Sequence, residues 1–328
     1  MITARMRRRL ALAVLLAPLT ACAVSKHATG PADLGVAHPS GDMLAYLAEP
    51  GPIELETVAS CDWSVDRKGL INLKHPTARA AGLRKGPEPI QIYFHVLRHP
   101  TRGTFLVDTG VETALRDAPK QAALRGAVAN YMKIAATMKF LAPLGEWLTQ
   151  HPQPLAGVFL THLHVDHISG MADVPAGTPI YTGPGENGAR AFLHLFTRKS
   201  TGRALAGKPP LRELQFSPDP DQRFAGVLDL FGDGSVWALW VPGHTAGSIA
   251  VLDIGSSKIA CLIAELNPEG VMQITGIGNH LARGIRGGHI TSAGEAEESI
   301  ASAVHTAETM AGTTVENVMV SVSGTDVQ

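Results

Sequence analysis

Short apolar runs of the length typical of β-strands recur along the central part of the chain. The runs IQIYFHVL (90–97) and TFLVD (104–108) are separated by RHPTRG, whose proline and glycine predict a hairpin turn. Farther on, VLDLFGDGSVWALWV contains GDG between two apolar stretches, which predicts a second hairpin. Other apolar runs that predict strands are GVFL, TPIYT, SIAVLDI, SKIACLIA and VENVMVSVS.

Two segments show helical character instead. Residues 112–150 are rich in Ala, Leu, Lys and Met, and the spacing of their apolar positions predicts a helical insertion. Its role is structural, or it covers a site at the neighbouring strand ends, and Met132 and Met138 are expected in the core. Residues 292–311 predict a further helix. Strands before and between helices, with no short internal repeat, predict a layered mixed α/β (α+β) fold.

The N-terminus has the order of a secretory signal. Four arginines in MITARMRRR precede the apolar stretch LALAVLLAPL, which is too short to span a bilayer as a stable helix. The following LTAC resembles a bacterial lipobox, which implies cleavage before Cys22 and a lipid on its sulfur. We therefore predict a lipoprotein signal peptide over residues 1–21 and a tether over residues 22–52, which are rich in small residues, Gly and Pro. An ordinary signal peptide is the alternative.

A lipid on Cys22 would anchor the protein to a membrane of the cell envelope, outside the cytoplasm. Val24 is the second residue after the cysteine. In lipoproteins of diderm bacteria, the absence of Asp at this position implies the outer membrane rather than the inner one. Only Cys61 and Cys261 then remain as thiols. Their spacing leaves open whether they form a disulfide in this oxidising compartment.

Composition limits the class of partner. Basic and acidic residues nearly cancel, giving a formal net charge of -1, and no basic stripe with interleaved aromatics occurs in the mature part. Nucleic acid is therefore not expected as a partner. The 328 residues, 45% of them hydrophobic, are enough for a sizeable core. One catalytic domain over residues 53–328 is the simplest organisation.

The stretch THLHVDHISG places three histidines and an aspartate close together after the predicted strand GVFL. If GVFLTHLH is extended, His162 and His164 point to the same face, so their imidazoles can converge on one ion. Asp166 and His167 follow where the chain turns, and they add a carboxylate oxygen and a further nitrogen. This donor set suits Zn²⁺, with Fe²⁺ or Mn²⁺ as alternatives. The competing interpretation is a group of surface histidines in a polar loop.

Together, FLVDTG, THLHVDH and VPGHTAGS occur in the order and approximate separations of the metallo-β-lactamase superfamily, which the chain resembles from about Ile90 to its C-terminus. The resemblance implies a four-layer αββα sandwich with metals at one edge, between the two sheets. It also implies that His162, His164 and His244 are ligands of a first metal.

In the same resemblance, Asp166 and His167 belong to a second metal. Asp108 is not a ligand in this resemblance but supports the loop that carries His162 and His164. Such support fixes the orientation of the imidazoles. A purely structural Asp108 at a strand end is the alternative.

The C-terminal part departs from the family's pattern. Most members have a strand ending in Gly-Asp, whose carboxylate bridges the two metals, whereas SKIACLIAELNP offers Glu265, either as a ligand or as an ordinary strand-end carboxylate. The family's last histidine ligand corresponds to Thr325, a poor substitute for imidazole. Asp326, His280 or His289 would need a rerouted loop to replace it. The histidines without ligand spacing include His95, His99, His194 and His305.

The first metal position is thus expected to be intact and the second to be weakened. The resemblance implies a zinc-dependent hydrolase, with one or two ions, that opens an ester, lactone, thioester or amide of a small-molecule substrate. Metal-bound hydroxide would attack the carbonyl, with Asp166 as orienting group or general base. The alternatives are a catalytically impaired metal-binding protein of the same fold and a mono-iron, oxygen-using member. The helical insertion is reminiscent of lactonases, but fold-level analogy does not choose a substrate.

Overall fold

The structure is a computed structural model that describes residues 23–46, 52–190, 194–253, 258–266, 272–281, 283, 285–286, 289–290 and 292–311. In chain order its strands are β1 (Thr29–Pro31), β2 (Val36–Ala37), β3 (Glu54–Asp66), β4 (Pro87–His99), β5 (Gly103–Val107), β6 (Met138–Phe140), β7 (Leu155–Phe159), β8 (Ile180–Thr182), β9 (Leu211–Glu213), β10 (Gly226–Asp229), β11 (Val236–Trp240), β12 (Ile249–Asp253), β13 (Lys258–Leu266), β14 (Met272–Leu281), β15 (Ile285–Arg286) and β16 (His289–Ile290).

The α-helices of the described residues are short, apart from two. They are α1 (Ser40–Tyr46), α2 (Pro76–Ala80), α3 (Thr113–Asp117), α4 (Ala127–Tyr131), α5 (Ile134–Thr137), α6 (Leu144–Gln150), α7 (Val165–Ile168), α8 (His194–Ala204) and α9 (Ala293–Ala311). Within the described ranges, no helix combines the length and the apolar character needed to cross a membrane.

Two sheets build the centre of the molecule. The larger has eight strands in the order β1-β9-β8-β7-β5-β4-β3-β6, and the smaller has four in the order β12-β11-β10-β2. Successive strands are antiparallel from β3 through β4 to β5, whereas β5, β7, β8 and β9 run parallel to one another. Both predicted hairpins are confirmed, because β4 pairs with β5 across RHPTRG and β10 pairs with β11 across the GDG turn.

The sheets face each other across one core, and helices cover their outer faces. Phe105 and Phe159 of the larger sheet pack in the same buried cluster as Leu228 and Val236 of the smaller sheet. On the other face of the larger sheet, Trp147 of α6 packs edge-on against Phe94, in a cluster that also includes residues of α7 and α8. On the outer face of the smaller sheet, Met43 of α1 joins Trp237. These layers confirm the predicted αββα sandwich.

The segment predicted as a tether is part of the fold over residues 23–46. β1 pairs with β9 in the larger sheet, β2 pairs with β10 in the smaller one, and Val24 and Met43 are buried. The tether prediction was therefore wrong for these residues. It rested on composition, whereas short edge strands depend on hydrogen bonds to strands that lie nearly two hundred positions later.

The predicted helical insertion is confirmed in part. Residues 112–150 form four short helices, α3 to α6, and the strand β6, which pairs with β3 at the sheet edge. Pro119, Gly126 and Pro143 interrupt the helical pattern, because proline and glycine are the poorest helix formers. Met132 and Met138 pack, half-buried, against a core cluster beside β3, as expected for core residues.

The C-terminal elements pair with one another. β13 and β14 form a separate antiparallel sheet, β15 and β16 form another, and α9 confirms the helix predicted at residues 292–311. A Cβ atom on Gly278 of β14 would lie 1.8 Å from the carbonyl oxygen of Ala303 in α9, so only glycine permits this close packing. The predicted strand VENVMVSVS lies outside the described residues.

Candidate metal centre

The predicted ligand loop follows β7 at the edge where the two sheets meet. β5 and β7 are parallel neighbours, so Asp108 after β5 and the loop after β7 emerge side by side. The Asp108 carboxylate accepts hydrogen bonds from the backbone N–H of Thr161 at 2.8 Å and from its hydroxyl. On the opposite side, the N–H of Ile249 in β12 donates to the Thr161 carbonyl oxygen at 3.0 Å. Both sheets therefore hold Thr161, immediately before His162.

Three histidines converge at this edge. His162, His164 and His244 each offer one ring nitrogen, and these atoms lie within 4.8 Å of one another. Nε2 of His244 lies 2.9 Å from Nδ1 of His164. Two nitrogens bound to one tetrahedral zinc ion at the usual 2.0–2.1 Å are about 3.3 Å apart, so the observed spacing needs only a small adjustment.

The three-histidine cluster passes a direct test of whether an ion fits. His162 is buried, and its Nε2 has no hydrogen-bond partner among the described residues. A buried polar nitrogen without a partner is costly, and a cation at the cluster would remove that cost. Burial lowers the pKa of His162 and lowers the pKa of His164 to about 4. Both imidazoles are therefore neutral at pH 7, which is the form that binds metals.

The neighbouring Asp166 and His167 are arranged differently. His167 donates from Nδ1 to the Asp108 carboxylate at 2.7 Å, and its Nε2 lies 3.5 Å from Asp166. Burial by itself would lower the pKa of His167, but the hydrogen bonds to the two carboxylates outweigh it and raise the pKa to about 10. Burial opposes ionisation of Asp166, yet the hydrogen bond and charge of His167 lower its pKa. This pair is an ion pair in the metal-free protein.

Close backbone packing fixes the end of α7, the short helix that carries Asp166 and His167. The N–H and the hydroxyl of Thr109 both donate to the carbonyl oxygen of His167. A Cβ atom on Gly170 would lie 1.9 Å from the Thr109 carbonyl oxygen, so glycine is required there. The end of β5 and the ligand segment thus lie in direct contact.

The sequence did not reveal Glu186. Its carboxylate is completely buried and accepts from the N–H of Leu163 at 2.8 Å, the hydroxyl of Thr245 at 2.6 Å and the N–H of Gly247 at 3.1 Å. One side chain therefore joins the loop of His162 and His164 to the loop of His244. No local spacing signals this role, because the partners lie 23 to 61 positions away.

His194 was also missed. It begins α8, is buried, and places Nε2 3.3 Å from Nε2 of His164. Its Nδ1 lies 3.0 Å from the carbonyl oxygen of Ala189. Isolated from the other histidines in the sequence, it had no ligand spacing, and only the fold brings it to the cluster.

Other residues considered from the sequence lie elsewhere. His99 pairs with Asp233, His95 contacts Thr57, and Cys61 is a buried free thiol. Glu265 lies in β13, but its side chain lies outside the described residues, as does that of Cys261. His280 lies in β14, His289 lies in β16, and His305 lies on α9. Cys22, Thr325 and Asp326 lie outside the described residues.

Comparison with known proteins identifies two kinds of relative. The cell division protein FtsA of Borreliella burgdorferi is 36% identical over 80 residues, which are 24% of this chain and 19% of FtsA. FtsA of Pseudomonas aeruginosa is 32% identical over 80 residues. The chain spans about a fifth of the length of these relatives.

The second kind consists of hydrolases. Hydroxyacylglutathione hydrolase of Shewanella oneidensis is 31% identical over 116 residues, covering 34% of this chain and 36% of that protein. A solved structure of a quorum-quenching N-acyl homoserine lactone lactonase aligns with 62% of this chain and 69% of its own, at 15% identity and a TM-score of 0.41.

A model of one family matches more than half of the chain. The match is to the metallo-β-lactamase superfamily over residues 87–258, and it includes all three cluster histidines. Residues 259–328 lie outside the match, although the resemblance in the sequence was expected to continue to the C-terminus. With the αββα layers and a histidine cluster at the edge between the sheets, the chain belongs to the metallo-β-lactamase superfamily.

Proposed function

We propose that this protein is a metal-dependent hydrolase whose ion is held by His162, His164 and His244. The observation that carries the proposal is the convergence of three imidazoles, one of which has a buried Nε2 with no partner among the described residues. Three nitrogen ligands with room for a fourth are the usual donor set of catalytic zinc. When bound, such an ion supplies Lewis acidity and an activated water at neutral pH.

The remaining residues of the site would orient the ligands and move protons. Asp166 follows the His-x-His segment, and its lowered pKa keeps it ionised at pH 7, as a proton acceptor must be. Asp108 and Glu186 hold the two ligand loops through backbone N–H groups and hydroxyls. Because these bonds exist before any substrate arrives, the imidazoles need little reorganisation during the reaction.

The proposed substrates are small molecules with an ester, lactone, thioester or amide carbonyl. The similarity to hydroxyacylglutathione hydrolase of Shewanella oneidensis supports an acyl-glutathione as the first substrate to test. A lactone, a simple ester and a β-lactam complete the panel, because the fold by itself does not select among them.

The first test is the metal content of chain 23–328, purified without chelator and measured by plasma mass spectrometry, together with turnover of the substrate panel. We expect about one zinc ion per chain and hydrolysis that a chelator abolishes and zinc restores. Iron with oxygen consumption would identify an oxygen-using member instead. Hydrolysis that persists after complete removal of the metal would contradict the proposal.

A catalytically impaired metal-binding protein is the second candidate. The observation that favours it is the pairing of His167 with both Asp108 and Asp166, which occupies the donor atoms of a second metal position. Stoichiometric zinc without turnover of any substrate in the panel would support this candidate. Two ions per chain with turnover would instead indicate a dinuclear site that includes Asp166 and His167.

We also infer that the C-terminal elements from β13 to α9 form a unit distinct from the hydrolase and account for the similarity to FtsA. The family match ends at residue 258, where β13 begins, and β13, β14 and α9 pack on one another. The N-terminal elements β1 to β3 are instead paired into the two sheets of the sandwich. On this proposal Glu265 is not a metal ligand.

Cys22 is proposed to carry a lipid anchor in the cell envelope. Immediately after it, Ala23 forms a β-bridge with Arg190, and the N–H of Val24 donates to the carbonyl oxygen of Ala189. The anchor would therefore emerge directly beside the segment that carries Glu186 and His194. Substitution of Cys22 by Ser should abolish incorporation of labelled fatty acid and release the chain from the membrane fraction. Unchanged labelling would refute lipidation at this residue.

A further inference from the structure

We propose that His194 is a positioning residue that fixes the tautomer and ring orientation of the metal ligand His164. The inference rests on the proposed metal site and adds to it a residue outside the three-histidine cluster. His194 contributes no atom to that cluster. Instead, it contacts the ring nitrogen of His164 that faces away from the cluster.

The ring of His164 has two nitrogens with different neighbours. Its Nδ1 faces Nε2 of His244, inside the cluster, at 2.9 Å. Its Nε2 faces Nε2 of His194 at 3.3 Å. A neutral imidazole carries one proton, and the nitrogen that binds a metal must be the unprotonated one. As a ligand through Nδ1, His164 therefore needs an acceptor for the proton on its Nε2.

The position of His194 makes it that acceptor. Its Nδ1 lies 3.0 Å from the carbonyl oxygen of Ala189, which can only accept, so Nδ1 carries a proton, and in a neutral imidazole that proton is the only one. The lone pair on its Nε2 is then directed at His164. Protons are thus ordered along one chain, from His164 to His194 and from His194 to the backbone of Ala189.

The surroundings of His194 hold this chain in place. The side chain is 1% exposed, so bulk water does not replace either contact. The acceptor Ala189 is itself fixed, because its carbonyl oxygen also receives the N–H of Val24 and the next residue, Arg190, bridges to Ala23. Outer hydrogen-bond partners of metal-binding histidines orient the ring and increase its basicity, and their loss typically costs about 10- to 100-fold in metal affinity.

The test compares His194→Leu with His194→Gln in the full-length chain. Leucine fills the space without an acceptor, whereas the glutamine amide oxygen can accept from Nε2 of His164. Zinc affinity is measured by competition with a chromophoric chelator, and the tautomer of His164 in the zinc form is read from two-bond ¹H–¹⁵N NMR correlations. Lys199→Ala, on an exposed position of the same helix, is the matched control.

We expect H194L to lose about 10- to 100-fold in zinc affinity and to lose the single Nε2–H signature of His164. H194Q should retain both within about threefold, and K199A should match the wild type. Equal affinities and an unchanged His164 signal in H194L would overturn the inference while leaving the proposed metal site intact. Equal losses in H194L and H194Q would also overturn it, because they would indicate a packing role. A wild-type chain that binds no zinc would overturn both proposals.

Discussion

Two groups of chelating residues lie side by side at the edge between the two sheets, yet the surroundings of their polar atoms differ. In the three-histidine cluster, Nε2 of His162 is buried without a partner among the described residues. In the adjacent group, His167 already has a carboxylate at each ring nitrogen, from Asp108 and from Asp166. The first group therefore offers an unpartnered nitrogen to a cation, whereas the second contains its own positive charge in protonated His167.

The contrast appears most directly in the pKa values of two histidines five positions apart. Burial lowers the pKa of His162, and His167 has a pKa raised to about 10 because its two carboxylate partners outweigh burial. A metal ion displaces no proton from His162 or His164 at pH 7, because the pKa of each is lowered by burial. At the second group it must displace one and break an ion pair. Residue type and spacing therefore do not determine metal affinity when the neighbours differ.

The largest expected effect separates the two groups directly. His162→Ala should reduce zinc affinity by more than about 100-fold and abolish metal-dependent hydrolysis, because one of three ligands is lost. His167→Ala should cost less than about tenfold in affinity. Chelator competition on both variants, with the exposed His305→Ala as control, measures the difference. Equal losses in H162A and H167A would mean that the two groups form a single dinuclear centre.

The next largest effect concerns the frame that holds the first group. Glu186→Gln replaces one carboxylate oxygen by an NH₂ group that faces hydrogen-bond donors, so at least one of three buried bonds is lost. We expect a loss of about 2–4 kcal/mol in the free energy of unfolding, and about tenfold weaker zinc binding. Urea unfolding of the metal-free chain checks the first value. The exposed Glu297→Gln, which changes the same functional group, should change neither quantity by a comparable amount.

A smaller effect is expected in the pH dependence of the metal-free protein. The folded pKa of His167 is about 10, above an unfolded value of about 6.5, so the folded state binds more protons between these values. This stabilisation is fully present below pH 6.5 and is lost as the pH rises through 10. Asp108→Asn should therefore reduce stability more at pH 6 than at pH 10, and flatten the decline between these values. An unchanged slope in D108N would contradict the assignment of the ion pair.

The smallest expected effect concerns the C-terminal unit from β13 to α9. It tests whether this unit supplies a ligand to the second metal position. A chain that ends at residue 253, after β12, should bind zinc within about twofold of the full chain, because the three-histidine cluster and its supporting residues are retained. Zinc titration with mass spectrometry provides both affinity and stoichiometry, and Glu265→Gln in the full chain is the matched comparison. A change from two ions to one on truncation would show that a residue beyond 253 is a ligand.

Local pattern was sufficient for most of the fold. The two hairpins, the strand before the ligand loop and the helix over residues 292–311 were all predicted, because alternation, turn residues and capping act within a few positions. The errors occurred where distant partners decide. Residues 23–46 have the composition of a linker but pair with strands near residues 211 and 228, and three helix-breaking residues divide the insertion.

The same division applies to the site. By itself, the sequence determined the kind of site, because His-x-His at the end of a strand and a third histidine between glycines are chemically specific and local. Only the tertiary structure decided which nitrogens face one another, that Glu186 joins the two ligand loops, and that His194 contacts the outer nitrogen of His164. It also decided that His162 and His167 have opposite pKa shifts. The reason is physical: burial, hydrogen bonds and charge act through space, and the groups that exert them lie up to 82 positions away from these histidines.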